Sequence, residues 1–121
     1  MNVSEITFRK DLWDNIKALA KKESKYIFVD AYTTWCGPCK LLKKTTFKDK
    51  NTADFYNKNF ISFAVDMEEG EGTLLSQKWN VTSYPSLLFF TPEGKMIRKQ
   101  IGFLNGIQLI ELGKLILSTN N

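Results

Sequence analysis

Apolar and polar residues follow one another along the chain in patterns that predict helices separated by strands. Apolar residues recur at helical spacing over 11–22 and predict a first helix there. Compact runs of Ile, Phe and Val predict strands buried on both faces at 26–31 and 61–65. Three further helices are predicted from Cys36 towards Phe47, over 53–57 and over 73–79.

The pattern changes near the C-terminus. An apolar run at 86–90, a Thr-Pro-Glu-Gly turn at 91–94 and a second run at 95–101 predict an antiparallel hairpin. Asn105 and Gln108 stand three residues apart, as in a helix-capping pair. They predict the start of a last helix, whose apolar residues include Ile110, Leu112 and Ile116.

This order of elements predicts an α/β fold. Strands that alternate with helices favour parallel pairing, and the terminal hairpin adds antiparallel strands. We therefore expect a three-layer αβα arrangement, in which a mixed central sheet with a C-terminal antiparallel hairpin lies between helices. A length of 121 residues, with 43% hydrophobic and 25% charged residues, predicts a single domain over 1–121.

Charge and hydropathy restrict the partners. A net charge of +4 without a dense basic stripe does not indicate nucleic-acid binding. No apolar run approaches the roughly 18 residues of a membrane span, so no membrane insertion is expected. The first residues lack a basic region followed by an apolar one, which predicts a cytoplasmic protein. The alternative is the bacterial periplasm or cell envelope, if an export signal has been removed.

The chain contains two cysteines and no histidine. Catalysis by a histidine base is therefore excluded, and one chain cannot supply a four-ligand Cys/His zinc site. Cys36 and Cys39 are too close in sequence to join distant elements, so their spacing indicates chemistry or a shared metal. A metal or iron–sulfur cluster would need ligands from a second subunit or a small thiol. No metal or organic cofactor is expected in the chain itself.

The residues around the cysteines suit redox chemistry. Cys36 follows a predicted strand and opens a predicted helix, where free N–H groups and the helix dipole stabilise a thiolate. Pro38 is tolerated there because an N–H in the first turn has no helical partner. Gly37 allows a sharp turn and leaves room for a second protein, and Cys39 can reach Cys36 to close a disulfide. The alternative is that both cysteines are simply small buried residues.

The sequence resembles thioredoxins and their relatives. The matching positions come in the family's order across residues 26–117, and they are 29–32, 35–40, 84–86, Gly94 and Gly102. The resemblance implies a thioredoxin-like fold and thiol–disulfide exchange. Residues 46–49 and the long insertion before Ile61 resemble the C-terminal domain of the transmembrane thiol:disulfide interchange protein, whose relatives work in the bacterial cell envelope.

Asp30 ends an apolar strand, where an unpaired charge is costly. It could be a solvent-facing strand end or a buried carboxyl with a raised pKa that accepts the proton of Cys39. The resemblance supports the second interpretation, because Asp30 stands six residues before Cys36. Thioredoxins usually place a lysine near this aspartate, and here that position is Ser62, four residues before Asp66.

Spacing alone favours a trans Tyr84–Pro85 bond, whereas the resemblance implies a cis bond beside the cysteines. It also implies that the backbone of Tyr84 is free to pair with a substrate strand. The expected substrate-binding residues are Trp35, Gly37, Pro38, Tyr84, Pro85 and Gly102, with Tyr32 and Phe103 beside them. Trp13 and Trp79 are assigned to the core, and Lys40, Lys43, Lys44 and the acidic run 68–71 to solvated surfaces.

The predicted function is protein-disulfide reduction by the Cys36–Cys39 dithiol, with Asp30 as the third catalytic residue. The predicted partners of this monomer are disulfide-containing proteins and an upstream electron donor, either a reductase or a membrane thiol:disulfide interchange protein. Two alternatives are a thioredoxin-fold binding module without turnover and a dimer whose CxxC pairs hold a metal or iron–sulfur cluster.

Overall fold

A computed structural model describes residues 5–119, so the outer ends of the predicted domain, 1–4 and 120–121, lie outside the described residues. A four-stranded mixed sheet lies at the centre, in the order β2-β1-β3-β4. Its strands are β1 (Tyr26–Tyr32), β2 (Phe60–Asp66), β3 (Ser86–Phe90) and β4 (Met96–Ile101). β1 runs parallel to β2 and antiparallel to β3, and β3 and β4 form the antiparallel hairpin. The predicted mixed sheet is confirmed.

Helices cover both faces of this sheet, as predicted. They are α1 (Trp13–Glu23), α2 (Gly37–Lys44), α3 (Lys50–Asn59), α4 (Gly72–Lys78) and α5 (Gly106–Thr119). Apolar residues of α1 and α4 pack on one face, and those of α2, α3 and α5 pack on the other. Trp13 and Trp79 meet edge to face at 4.9 Å inside the first of these two cores, as expected.

The helix boundaries between residues 36 and 59 differ from the prediction. The helix that begins after Cys36 ends at Lys44, and a separate 3-10 turn follows at Thr46–Lys48. The carboxylate of Asp49 then accepts the backbone N–H of Thr52 at 3.0 Å and caps the next helix. That helix therefore begins at Lys50, earlier than the predicted 53–57, because the side chain of Asp49 caps its first turn.

The predicted cap of the last helix is confirmed. The backbone N–H of Asn105 donates to the side chain of Gln108, and that of Gln108 donates to the side chain of Asn105, each at 2.9 Å. This reciprocal pair satisfies N–H groups at the start of α5. It fixes the entry of α5 directly after the 102–104 segment, which borders the site described next.

Candidate active site

The two cysteines lie at the N-terminus of α2. Cys36 is the residue that caps the helix, and Pro38 lies in the first turn. A disulfide joins Cys36 to Cys39, with their Cα atoms 5.2 Å apart. The backbone N–H of Cys39 donates to Cys36 Sγ at 3.1 Å. After reduction, the same N–H and the positive end of the helix would favour a thiolate on Cys36.

Solvent exposure does not distinguish the two cysteines. Cys36 is 3% exposed and Cys39 is 2% exposed. Their difference lies in position, because Cys36 precedes the helix whereas Cys39 lies within its first turn. A methyl group built on Gly37 would meet no atom within 4 Å. The surface beside Cys36 is therefore open to an approaching protein at this residue.

Asp30 lies on the face of β1 that α2 covers. Its neighbour two residues earlier, Phe28, packs in the same core as Leu42 of α2. Asp30 is 2% exposed, and among residues 5–119 its Oδ1 atom has no hydrogen-bond partner. Burial raises the pKa of Asp30 to about 7, and the positive charge of Lys43 opposes part of that rise. Asp30 is therefore buried and is not a solvent-facing strand end, whereas its role as acceptor of the Cys39 proton stays a prediction.

Ser62 lies on the strand beside Asp30. It pairs with Phe28 in the parallel register, is buried, and its hydroxyl has no hydrogen-bond partner within the described part of the chain. The position at which thioredoxins usually carry a lysine is thus uncharged here. The positive charge that acts on Asp30 comes instead from Lys43 of α2.

Four of the six predicted substrate-binding residues form two contacting pairs. The Tyr84–Pro85 bond is cis, as the resemblance implied. The carbonyl of Pro85 accepts the backbone N–H of Gly102 at 2.9 Å. The ring of Tyr84 meets the ring of Trp35 edge to face at 5.9 Å. Gly102 has a φ of +98°, a conformation that favours glycine, and the space beside its Cα is open.

Trp35 is 63% exposed, and its indole N–H donates to the carboxylate of Glu68 at 2.9 Å. A second acidic side chain of the same loop, Glu71, accepts the backbone N–H of Trp13 at 3.0 Å. Residues 68–70 are exposed, as predicted, and Glu71 is half-buried, but Glu68 and Glu71 also bind distant segments of the chain. Both contacts join segments far apart in sequence, so no local pattern could have indicated them.

An apolar groove lies along α2 and the start of α5. Leu41, Phe103 and Ile107 are exposed there and line a groove of about 650 Å³. Phe103 was predicted to lie on the binding surface, whereas the exposure of Leu41 and Ile107 was not predicted. Helical spacing shows which residues share a face, whereas exposure depends on what packs against that face.

Within residues 5–119, no three His, Cys, Asp or Glu side chains are grouped closely enough to hold a metal ion. None of the helices in that described range is long and apolar enough to cross a membrane.

Comparison with known proteins places the chain in a family. Residues 13–116 match the model of the thioredoxin-like domain. A thioredoxin from Mycoplasmoides gallisepticum is 34% identical over 91 residues, which cover 75% of this chain and 84% of that protein. The thiol:disulfide interchange protein DsbD from Yersinia pestis is 31% identical over 96 residues, 77% of this chain. The match spans only 16% of the length of that DsbD protein.

Solved structures agree. A proposed disulphide-isomerase from Bacteroides thetaiotaomicron superposes with a TM-score of 0.84 at 37% identity, and the match covers 100% of both chains. The C-terminal domain of DsbD from Neisseria meningitidis, in its oxidised form, superposes with a TM-score of 0.74 at 18% identity and shares the fold. It covers 90% of this chain and 98% of that one.

The predicted resemblance is confirmed by these matches. Relatives named thioredoxin and thiol:disulfide interchange protein are thiol–disulfide oxidoreductases, and this chain carries its paired Cys36 and Cys39 in a CxxC arrangement. The chain has the cysteine pair needed for thiol–disulfide exchange, and it belongs to the thioredoxin-like domain family.

Proposed function

We propose that the chain is a protein-disulfide reductase in which Cys36 is the attacking thiol. The supporting observation is the position of Cys36 as the cap of α2, with its sulfur accepting the N–H of Cys39. This arrangement stabilises negative charge on the Cys36 sulfur more than on Cys39.

The reaction proceeds in two exchange steps. The Cys36 thiolate attacks a substrate disulfide, forms a mixed disulfide and releases the first substrate sulfur as a thiolate. Cys39 then passes its proton to the Asp30 carboxylate and attacks Cys36 Sγ. The bond between Cys36 and substrate breaks, and the second substrate sulfur leaves as a thiolate. Two electrons have moved from the dithiol to the substrate, and the chain holds the Cys36–Cys39 disulfide.

The substrate site is the open surface around Cys36. Gly37 and Pro38 leave the approach free, and the ring pair of Trp35 and Tyr84 forms a wall beside it. An extended substrate segment would pair with the backbone of Tyr84, next to Pro85 and Gly102. The substrates are accordingly disulfide-containing proteins. The shared architecture with DsbD supports a membrane thiol:disulfide interchange protein, or a soluble reductase, as the donor that returns the electrons to this monomer.

Trapping of the mixed disulfide tests the assignment of the two cysteines. When the reduced Cys39→Ser variant is mixed with insulin, a mixed disulfide between Cys36 and insulin should accumulate, because the resolving thiol is missing. Cys36→Ser, the matched control, should accumulate none. Non-reducing gel electrophoresis and mass spectrometry of the trapped peptide provide the measurement. A complex formed through Cys39 would overturn the assignment, and an inactive wild-type chain in the insulin assay would favour a binding module.

A further inference from the structure

Lys43 belongs to the helix of the cysteines and reaches the strand that carries Asp30. It lies on α2 four residues beyond Cys39, and residues at this spacing share one side of a helix. Its ammonium lies 5.3 Å from the centre of the Tyr32 ring. Tyr32 follows Asp30 by two residues on β1, so both side chains project from the same face of the sheet. Lys43 thus connects the helix of the cysteines to the strand face of Asp30.

The strand residues directly beside Asp30 and Phe28 on this face carry no charge. β2 contributes Ala64 and Ser62, and β3 contributes Leu87, which pairs with Asp30. The titratable and charged groups on α2 are Cys39, Lys40, Lys43 and Lys44. The sheet adds Tyr32 of the same strand, Asp66 of β2 in register with Tyr32, and Arg98 of β4 in register with Phe89. Lys10 also approaches this face, with its ammonium 6.0 Å from the Tyr32 ring. Of these, Lys43 supplies the positive charge that lowers the pKa of Asp30 against the effect of burial.

The charge of Lys43 is not neutralised by a carboxylate. Among the described residues, its recorded partner is the ring of Tyr32, and no acidic side chain lies within ion-pair distance. A cation held over an aromatic ring keeps its full charge. It can therefore act on a carboxylate buried nearby, where the low dielectric weakens screening.

We propose that Lys43 is a positioning residue that keeps Asp30 ionised until Asp30 accepts the proton of Cys39. This proposal rests on the proposed roles of Asp30 and Cys39 and adds the group that prepares the acceptor. Lys43 takes no proton and forms no bond in the step. The proton moves from Cys39 Sγ to the Asp30 carboxylate, and the Cys39 thiolate then displaces the substrate sulfur from Cys36.

The direct test is a pH titration of the Asp30 carboxyl carbon by NMR in the oxidised protein, which does not depend on turnover. Lys43→Gln should raise the pKa of Asp30 by about half a pH unit, the size expected for an exposed cation. Lys44→Gln removes the same charge from the next residue of α2 and should shift it clearly less. Lys43→Arg keeps the charge and should restore the wild-type value. An equal pKa of Asp30 in Lys43→Gln and Lys44→Gln would overturn the proposal.

A kinetic measurement tests the consequence for catalysis. The reduced chain reacts with dithiodipyridine, an uncharged disulfide, and releases one thiopyridone when Cys36 attacks and a second when Cys39 resolves the mixed disulfide. In Lys43→Gln the pH profile of the second release should move up by the shift seen in the NMR titration, while the first release keeps its profile. The proposal would be contradicted if the pKa of Asp30 shifts in Lys43→Gln while the pH profile of the second thiopyridone release stays unchanged. Absence of both releases would instead contradict the proposed function, and the NMR result would still decide the action of Lys43 on Asp30.

Discussion

The seven residues of β1 alternate between the two faces of the sheet, and the two faces differ in chemistry. Ile27, Val29 and Ala31 point to one face, are fully buried and pack in a wholly apolar core. The other face begins with the partly buried Tyr26 and the buried ring of Phe28, and it continues with the buried carboxyl of Asp30. It ends at Tyr32, which is half-buried beneath two lysines.

Burial has a different effect on each face of this strand. On the apolar face every buried group lowers the free energy of the folded state. On the other face the burial of Asp30 opposes folding, because the carboxylate loses its hydration and its Oδ1 atom has no hydrogen-bond partner among residues 5–119. The same burial brings the pKa of Asp30 to about 7, where it can exchange protons at neutral pH.

The largest expected effect comes from placing a carboxyl on the apolar face. Val29→Asp should lower the free energy of unfolding by roughly 3–5 kcal/mol at pH 8, since the new charge would be buried without a partner. Val29→Ala removes packing without adding charge and should cost less. Urea denaturation measures both. A Val29→Asp chain as stable as wild type would show that the two faces do not differ as described.

Removing the natural carboxyl of Asp30 should raise the free energy of unfolding, whereas adding one at Val29 lowers it. The pKa of about 7, against an ordinary 3.8, means that the folded state binds protons more tightly than the unfolded state. Wild-type stability should therefore fall as the pH rises from about 4 to about 7 and stay level above. Asp30→Asn should be more stable than wild type by up to about 4 kcal/mol at pH 8, and this gain should vanish near pH 4. Denaturation at several pH values measures it, and an equal gain at pH 4 and pH 8 would contradict a buried, titrating Asp30.

The smallest effect is expected beyond the end of the reactive face, where Glu68 holds the exposed ring of Trp35. Glu68→Ala should change the fluorescence of Trp35 and weaken substrate binding by about 1 kcal/mol, the typical worth of such a hydrogen bond. The expected result is a KM for insulin raised several-fold with little change in kcat. Glu69→Ala, at the next exposed position, is the control, and an equal effect there would exclude a specific role for Glu68.

Much of this arrangement could be predicted from the sequence. Apolar runs predicted β1, β2 and β3, and the Thr-Pro-Glu-Gly turn predicted the hairpin. The CxxC with its proline located the cysteines at the start of α2. The cap formed by Asn105 and Gln108 was also readable, because it depends on residues three apart.

The missing parts depend on contacts between distant segments. The sequence cannot show that Glu68 reaches Trp35, 33 residues away, or that Lys43 lies over Tyr32. Burial of Asp30 could be inferred only through the family, since a strand that ends in aspartate can end in solvent or inside the protein. These contacts are set by the packing of α2 and the 67–71 loop on the sheet.

In the proposed mechanism, Asp30 accepts the proton of Cys39 in the resolving step. Its most direct test is the release of thiopyridone from dithiodipyridine by the reduced wild type and by Asp30→Asn at pH 7.5, followed in a stopped-flow instrument. We expect an unchanged first release, due to Cys36, and a second release slowed by roughly 10²-fold because the proton acceptor is lost. Two releases as fast as those of wild type would contradict it.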